Sequence, residues 1–258
     1  EGKTAVLTVN YLLAAGNLYI MTYKIHPSGV VKVGVHFTST DMEAATDEIS
    51  EATRMATFTP GNDAARREAS LLEIPRIGVR FRLPADMNQV EYFGRGPAEN
   101  YLDRNAGSMI GLYKSTAEEL YFPYVRPQEN GHHTDTRWVS LSTGKKGLLI
   151  QADNTIGFNA LRNSIEDFDD EEATGLSRQW SNFTPEQVAN HDEAAAKNVL
   201  RRQHHINDIT PCDFVEVCVD LKQLGVAGYD SWGSRPEPAY TLPANREYNW
   251  GFTLIPLK

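Results

Sequence analysis

The histidines are the side chains of this sequence whose type best suits metal or proton chemistry. Four of them form two adjacent pairs, but neighbouring residues on a strand point to opposite faces, so one ion cannot easily use both members of a pair. We therefore predict structural or surface roles and no metal site for the seven: His26, His36, His132, His133, His191, His204 and His205.

Short catalytic motifs are absent. The sequence contains no HExxH, nucleophile elbow, phosphate loop or dinucleotide fingerprint, and GRGP (94–97) is too short to hold a phosphate. The acidic run EDFDDEE (166–172) is typical of a solvated loop. A cation site there is the weaker alternative, because the spacing of an EF-hand is missing.

Three loops combine aromatic, charged and turn-forming residues: VEYFGRGPAENYLDRNAG (90–107), YFPYVRPQENGHHTDTRWVSL (121–141) and GVAGYDSWGSRPEP (225–238). Their polar side chains suit either a buried hydrogen-bonded network that pins the loops or a sugar site beside aromatic faces. Trp232 lies among glycines and prolines, so its indole is either buried in the core of its own domain or in contact with something outside that domain. The polar candidates are Arg95, Glu99, Asn100, Asp103, Arg104, Arg126, Gln128, Glu129 and Asn130.

The elements that must position these loops are strands, because apolar and polar residues alternate with period two. No strand–helix alternation recurs, which argues against a parallel sheet. We predict one all-β domain over residues 1–258, a large antiparallel β-sandwich whose strands are each buried on one face. The six clearest stretches are 17–25, 31–38, 77–83, 147–153, 213–220 and 247–254.

Helix signals are few. Thr184-Pro185-Glu186-Gln187 has the cap and the proline of a helix start, and predicts a short helix over 185–199. The spacing Ser115-x-x-Glu118 predicts one further short turn. The stretch 41–68 is polar and without period, as in a long loop or an insertion.

Composition restricts the partners and the compartment. The net charge is −9, from 34 acidic and 25 basic residues, the opposite of a nucleic-acid binder. No run of 18 apolar residues predicts a membrane span. Cys212 and Cys218, if they share a strand, lie roughly 20 Å apart and cannot bond. The chain begins at Glu1, which we interpret as a cut segment, so the sequence does not decide between cytoplasm and periplasm.

All three loops carry a family resemblance. YFGRGPAENYLDR (92–104), followed by YVRPQENGHHTDTRW (124–138), resembles the C-terminal domain of the large bacterial β-galactosidases of glycoside hydrolase family 2. In two-chain relatives this region belongs to the small subunit. The later GVAGYDSWGSRP (225–236) is similar to the Asp-Ser-Trp loop of that domain. The resemblance implies a super-sandwich akin to galactose mutarotase.

The resemblance also implies where the chemistry lies. In this family the two catalytic glutamates belong to an upstream barrel, so we assign no catalytic residue here, and Glu99 and Glu129 are expected in the loop network. Trp232 matches the family's Trp that lines the acceptor side of the active site, beneath the glucose of lactose. The reaction that the resemblance implies for the parent enzyme is retaining hydrolysis of terminal β-D-galactosides. Ala227 and Tyr229 depart from the family's usual residues in this loop.

The partners implied are the upstream catalytic domains or a large subunit, and a galactoside substrate, in a parent enzyme that is oligomeric. No cofactor is expected in this segment, and the resemblance leaves room for Mg²⁺ and Na⁺ in the other domains. Two alternatives stay open: a stand-alone sugar epimerase of the mutarotase type, with its own acid and base, and a carbohydrate-binding module that stacks sugar on Trp232 and Tyr229.

Overall fold

The computed structural model describes residues 3–13, 17–38, 73–125, 128–168, 206–207, 209–229 and 234–258. Two short 3-10 turns, Ile165–Asp167 and Pro238–Tyr240, accompany ten strands within these ranges. The strands are β1 Ala5–Leu12, β2 Leu18–Ile25, β3 Val31–Thr38, β4 Arg76–Pro84, β5 Gln89–Gly96, β6 Met109–Thr116, β7 His133–Ser142, β8 Gly147–Leu161, β9 Phe214–Gln223 and β10 Tyr248–Leu257.

The sheet is antiparallel throughout the described residues, in the order β1-β2-β3-β10-β8-β7-β5-β6. β9 pairs with both β8 and β4, and so carries the sheet into a second layer. The predicted all-β sandwich is confirmed, and each of the six alternating stretches forms a strand. The predicted helix over 185–199 and the insertion at 41–68 lie outside the described residues.

β8 joins the two layers because it is 15 residues long. Its first half pairs with β10, β7 pairs with it as far as Phe158, and β9 pairs with its end from Gly157 to Leu161. The register between β7 and β8 shifts on both sides of Thr136, next to Asp135, whose φ is +51°. This irregularity changes the direction of the start of β7, which is part of the second polar loop.

The core fills the space between the layers with side chains from alternate strand positions. Val33, Val35 and Phe37 of β3 are buried as the alternation predicts. The tyrosine hydroxyl of Tyr19 on β2 donates to the backbone oxygen of Gly78 on β4 at 2.8 Å, and so ties the layers together. The largest fully buried side chains are Tyr92, Tyr101, Phe158, Phe252, Leu141 and Ile150.

One strand prediction needs correction. β9 was expected to bury only Val215, Val217 and Val219, yet Glu216 and Asp220 on its other face are also buried. These acids remain inside because arginines of the neighbouring strand β4 neutralise them. Arg82 Nε lies 3.1 Å from Glu216 Oε2, and Arg76 Nε lies 3.0 Å from Asp220 Oδ2.

The short turn after β6 starts one residue later than predicted. The Thr116 hydroxyl accepts the backbone N–H of Glu119 at 3.2 Å, and the Glu119 carboxylate accepts the backbone N–H of Thr116 at 3.1 Å. Ser115 is still in β6. Cys218 lies in β9 while Cys212 precedes that strand, and both thiols are free. No helix of the described ranges has the length and apolar character that a membrane crossing requires.

Candidate functional site

The first polar loop is organised by the carboxylate of Glu99, three residues after the end of β5. Its Oε2 atom accepts the backbone N–H of Gly131 at 2.7 Å and the hydroxyl of Tyr101 at 2.9 Å. Its Oε1 atom accepts from Arg104 at 3.0 Å and from the hydroxyl of Tyr124. A carboxylate with four donors and only 3% exposure is held as a structural acceptor, because no lone pair is left for a substrate.

Asn100 joins the first and second loops while fully buried. Its backbone N–H donates to the carbonyl of His132 at 2.7 Å. Its side-chain oxygen accepts the backbone N–H of Thr134 at 3.0 Å and the hydroxyl of Thr134 at 2.6 Å. Its amide nitrogen donates to the carbonyls of Arg95 and Ala98, each at 3.1 Å. The Asn100 side chain therefore supplies hydrogen bonds that regular strand pairing would otherwise provide between these two irregular segments.

The second loop is closed in the same way. The Asn130 side chain accepts the backbone N–H of Phe122 at 2.8 Å and donates to the Phe122 carbonyl at 2.6 Å. Arg95 donates to Asp135 at 2.5 Å and to the carbonyl of Ser108 at 2.8 Å. The network interpretation of the polar loop residues is thus supported by geometry for Arg95, Glu99, Asn100, Arg104 and Asn130. Arg126 lies outside the described residues.

A second polar cluster lies beneath these loops, between β4, β8 and β9. Arg76 donates to Asp220 at 3.0 Å and to the side-chain oxygen of Asn159 at 2.5 Å, and lies 3.7 Å from Glu129. The same oxygen of Asn159 accepts from His132 Nδ1 at 2.8 Å. The Asn159 amide donates in turn to the backbone carbonyl of Asn130 at 2.5 Å.

Burial shifts the pKa values of Asp220 and His132 toward the neutral forms. Desolvation raises the pKa of Asp220 to about 7, while Arg76 opposes the rise. Desolvation and the neighbouring Arg76 lower the pKa of His132 to about 3. The imidazole is therefore neutral at physiological pH and donates its one N–H to Asn159. Such shifts occur at catalytic sites and in structural ion pairs alike, and here full burial favours the structural interpretation.

The third loop is bound to the first by Asp103. Its carboxylate accepts the backbone N–H of Val226 at 3.1 Å and of Ala227 at 2.7 Å, and lies 3.4 Å from the hydroxyl of Tyr229. Ala227 has a φ of +54°, a backbone conformation that residues other than glycine adopt mainly when surrounding contacts stabilise it. The Tyr229 backbone N–H donates to the Ser234 hydroxyl at 3.0 Å, which closes the loop.

Trp232, the one predicted substrate-binding residue, lies outside the described residues, as do Asp230 and Ser231. The chain on both sides is fixed: Asp103 holds the segment before it, and Arg235 pairs with Glu73 after it. An open depression nearby brings together side chains of the first two loops and of the turn that follows the third: Glu99, Asp103, Arg104, Phe122, Tyr124 and Tyr240.

Among the described residues, no three His, Cys, Asp or Glu side chains converge as a metal site. A structural or surface role is predicted for His132, whereas the sequence pattern does not identify Arg76, Asn159 and Asp220 as members of a site. A signal was present: β4 carries arginines at 76, 80 and 82, and β9 carries acids at 216 and 220, in each case at even spacings. Opposite charges on two strands of equal period indicate that the strands are neighbours.

The fold and the loops define an all-β sandwich domain whose irregular loops are fixed by buried polar side chains. Residues 1–254 match the sequence profile of the β-galactosidase small chain, and the chain belongs to that family. It is 34% identical over 235 residues to a β-galactosidase of Priestia megaterium, and 41% identical over 102 residues to one of an Arthrobacter species. A β-galactosidase of Streptococcus thermophilus is 28% identical over 192 residues.

These three alignments cover 88%, 37% and 74% of this chain, respectively. They cover only 20%, 10% and 16% of the relatives. The aligned segments therefore make up at most a fifth of each of these β-galactosidases.

Proposed function

We propose that this chain is the sandwich part of a retaining β-galactosidase, that it supports the catalytic barrel, and that it supplies Trp232 to the acceptor side of the active site. The observation that carries the proposal is the pair of hydrogen bonds from the backbone N–H groups of Val226 and Ala227 to the carboxylate of Asp103. It connects the family's Asn-Tyr-x-Asp-Arg motif directly to the loop that contains the indole. A loop fixed on both sides can present an aromatic face at a defined place.

The chemistry of hydrolysis belongs, in this proposal, to the rest of the enzyme. Retaining hydrolysis needs two carboxyl groups about 5 Å apart across the glycosidic bond, one of them free to attack. Glu99 is occupied by four donors, and Glu129 lies against Arg76 and Asn159. The segment alone is expected to hydrolyse no galactoside, and its role requires no cofactor of its own.

The indole acts by removing apolar sugar surface from water. A sugar face laid on Trp232 buries about 50–80 Å², which at about 25 cal/mol per Å² amounts to roughly 1.3–2 kcal/mol. Replacing Trp232 by Ala should therefore weaken lactose binding about 8- to 30-fold. Galactose binding should change much less, because its subsite is built by the barrel.

The test is a titration of the complete enzyme with lactose and with galactose, for the wild type and for Trp232→Ala. Val226→Ala is the matched control, since it shortens a side chain of the same loop and keeps the backbone N–H that Asp103 accepts. Equal losses for both sugars, or none for lactose, would contradict the acceptor role. A stand-alone epimerase would interconvert galactose anomers, and a binding module would retain immobilised sugar, each as the isolated chain.

A further inference from the structure

The second polar loop contains the only Asn-Gly dipeptide of the sequence, Asn130 followed by Gly131. An asparagine before glycine is prone to spontaneous deamidation, because the next residue has no side chain to shield its backbone nitrogen. That nitrogen loses its proton and bonds to the side-chain carbon Cγ of the asparagine, and ammonia leaves. Water then opens the cyclic imide to aspartate or isoaspartate. The loop that Glu99 and Asn100 hold in place therefore contains a site for chemical modification.

The carboxamide of Asn130, which is the group under attack in this reaction, is buried and paired. Only 1% of Asn130 is exposed. Its side-chain oxygen accepts the backbone N–H of Phe122 at 2.8 Å, and its amide nitrogen donates to the Phe122 carbonyl at 2.6 Å. Attack makes the planar Cγ tetrahedral and releases the amide nitrogen as ammonia, so the reaction disrupts this paired geometry. Deamidation therefore requires that Asn130 first separates from Phe122.

The attacking nitrogen of Gly131 is held as well. Its N–H donates to Glu99 Oε2 at 2.7 Å, and that carboxylate is only 3% exposed. Attack needs the deprotonated amide, and the negative charge of Glu99 disfavours a second negative charge beside it. The backbone of Gly131 is closely packed, because an added Cβ would lie 2.8 Å from Leu161 Cδ2 and 3.0 Å from the Leu120 carbonyl. Both reacting groups are thus immobilised while the loop is closed.

We propose that Asn130 and Gly131 form a latent deamidation site, which the closed second polar loop protects, and that modification there releases the loop permanently. Aspartate at position 130 places a carboxylate oxygen where an N–H now donates to the Phe122 carbonyl, and two acceptors repel each other. Isoaspartate also adds one carbon to the main chain before Gly131, which displaces the N–H that Glu99 accepts. Neither product reproduces the closed geometry. This protection does not depend on the proposed role in hydrolysis.

Incubation of the complete wild-type enzyme at pH 8 tests the protection directly. Mass spectrometry of the peptide that contains Asn130 follows its conversion in folded enzyme and in enzyme unfolded by guanidinium chloride. When the loop opens and closes faster than it reacts, the folded rate is reduced by the equilibrium fraction of open loop. We expect deamidation at least about 100-fold slower in the folded enzyme. A ratio below about 10, or no reaction in the unfolded enzyme, overturns the proposal.

Glu99→Gln measures how much the contact with Gly131 protects the site. A hydrogen bond to a charged acceptor is lost, so deamidation of the folded variant should be about 10- to 100-fold faster than in the wild type. In guanidinium chloride the two enzymes should react at the same rate. Glu91→Gln, whose partner Lys114 is exposed, is the matched control and should change neither rate. An unchanged rate in folded Glu99→Gln overturns the protective role of this contact.

Asn130→Asp reproduces one product of the reaction and tests its consequence without incubation. The variant of the complete enzyme should unfold at a lower temperature than the wild type, because the bond to the Phe122 carbonyl becomes a repulsion. Asn154→Asp, at an exposed position of β8, is the matched control and should leave the melting temperature unchanged. Equal melting temperatures of Asn130→Asp and the wild type contradict the release of the loop.

Discussion

Asp103 and Ala227 are joined by a hydrogen bond of 2.7 Å from the backbone N–H of Ala227 to the carboxylate, although 124 positions separate them. The same carboxylate accepts the N–H of Val226 at 3.1 Å. Gly225 lies so close that a Cβ there would be 2.7 Å from Asp103 Cγ. The loop that leads to Trp232 is thus fixed against the first polar loop rather than by its own sequence.

Asp103→Ala should therefore lower the affinity of the complete enzyme for lactose about as much as Trp232→Ala does. Hydrogen bonds to a charged acceptor contribute about 1.5–3 kcal/mol each, and without them the loop loses its fixed position. The double variant should be no worse than the worse single one, because both act through one loop. Isothermal titration with lactose measures this, with Asp153→Ala as a remote control. Additive losses would mean that Asp103 acts elsewhere.

Glu99→Gln should reduce stability rather than catalysis. Each carboxylate oxygen of Glu99 faces two donors, so the amide group of Gln meets donors in either orientation. We expect the free energy of unfolding to fall by about 2–3 kcal/mol, measured by urea titration, with kcat of the folded enzyme retained. Glu91→Gln, whose partner Lys114 is exposed, should change it by under about 0.5 kcal/mol. A loss of kcat at unchanged stability would make Glu99 catalytic.

Arg76→Met should destabilise the fold more at pH 8 than at pH 5. Burial raises the pKa of Asp220 to about 7, and Arg76 holds it from rising further. Without Arg76 the folded pKa rises above 7, so the carboxyl is neutral in the fold at pH 5. At pH 8 the folded variant buries the Asp220 carboxyl either as an unpaired charge or in its protonated form. In the unfolded chain the same carboxyl has already lost its proton.

The stability that a raised carboxyl pKa contributes is present at low pH and is lost as the pH rises through the folded pKa. We expect a loss of about 3 kcal/mol at pH 8 and clearly less at pH 5, from urea titrations at both values. Lys32→Met, which removes a half-exposed partner of Asp153, is the control and should give similar small losses at both pH values. A loss in Arg76→Met that does not depend on pH would show that Asp220 does not titrate in this range.

Gly131→Ala should be among the more damaging small substitutions in the second loop. Gly131 has a φ of +69°, and an added Cβ would lie 2.8 Å from Leu161 Cδ2 and 3.0 Å from the Leu120 carbonyl. Backbone strain and steric overlap together should cost about 2–4 kcal/mol. Thermal unfolding checks this against Gly34→Ala, where no atom lies within 4 Å of the added Cβ and the change should be small. Equal melting temperatures would contradict the tight fit.

The sequence predicts the strands well because their signal is local: apolar residues at every second position mark one buried face, as in 31–38 and 77–83. The burial of Glu216 and Asp220 could not be read in the same way. A charged residue on a strand faces either solvent or an opposite charge in the neighbouring strand, and alternation does not distinguish the two. That distinction depends on pairing with β4, more than 130 positions away.

The same limit applies to the candidate site. The loops at 90–107 and 121–141 were recognised by their composition and their family resemblance, and the network of Glu99 and Asn100 fits that expectation. The contact of Asp103 with the third loop was not foreseeable, because neither the type of Asp103 nor its spacing specifies a partner so distant in sequence. Short hydrogen bonds between remote loops follow from the packed fold rather than from any local pattern.

The position of β10 has a consequence for how the chain folds. β10 is the last of the ten strands in sequence, yet it lies between β3 and β8 in the middle of the sheet. Its pairing with β3 closes a segment of about 200 residues, and such distant pairings make folding slow. During synthesis, the hairpins formed by β1–β3 and by β5–β8 have no strand between them until β10 leaves the ribosome. Removing β10 would therefore divide the sheet in two instead of shortening its edge.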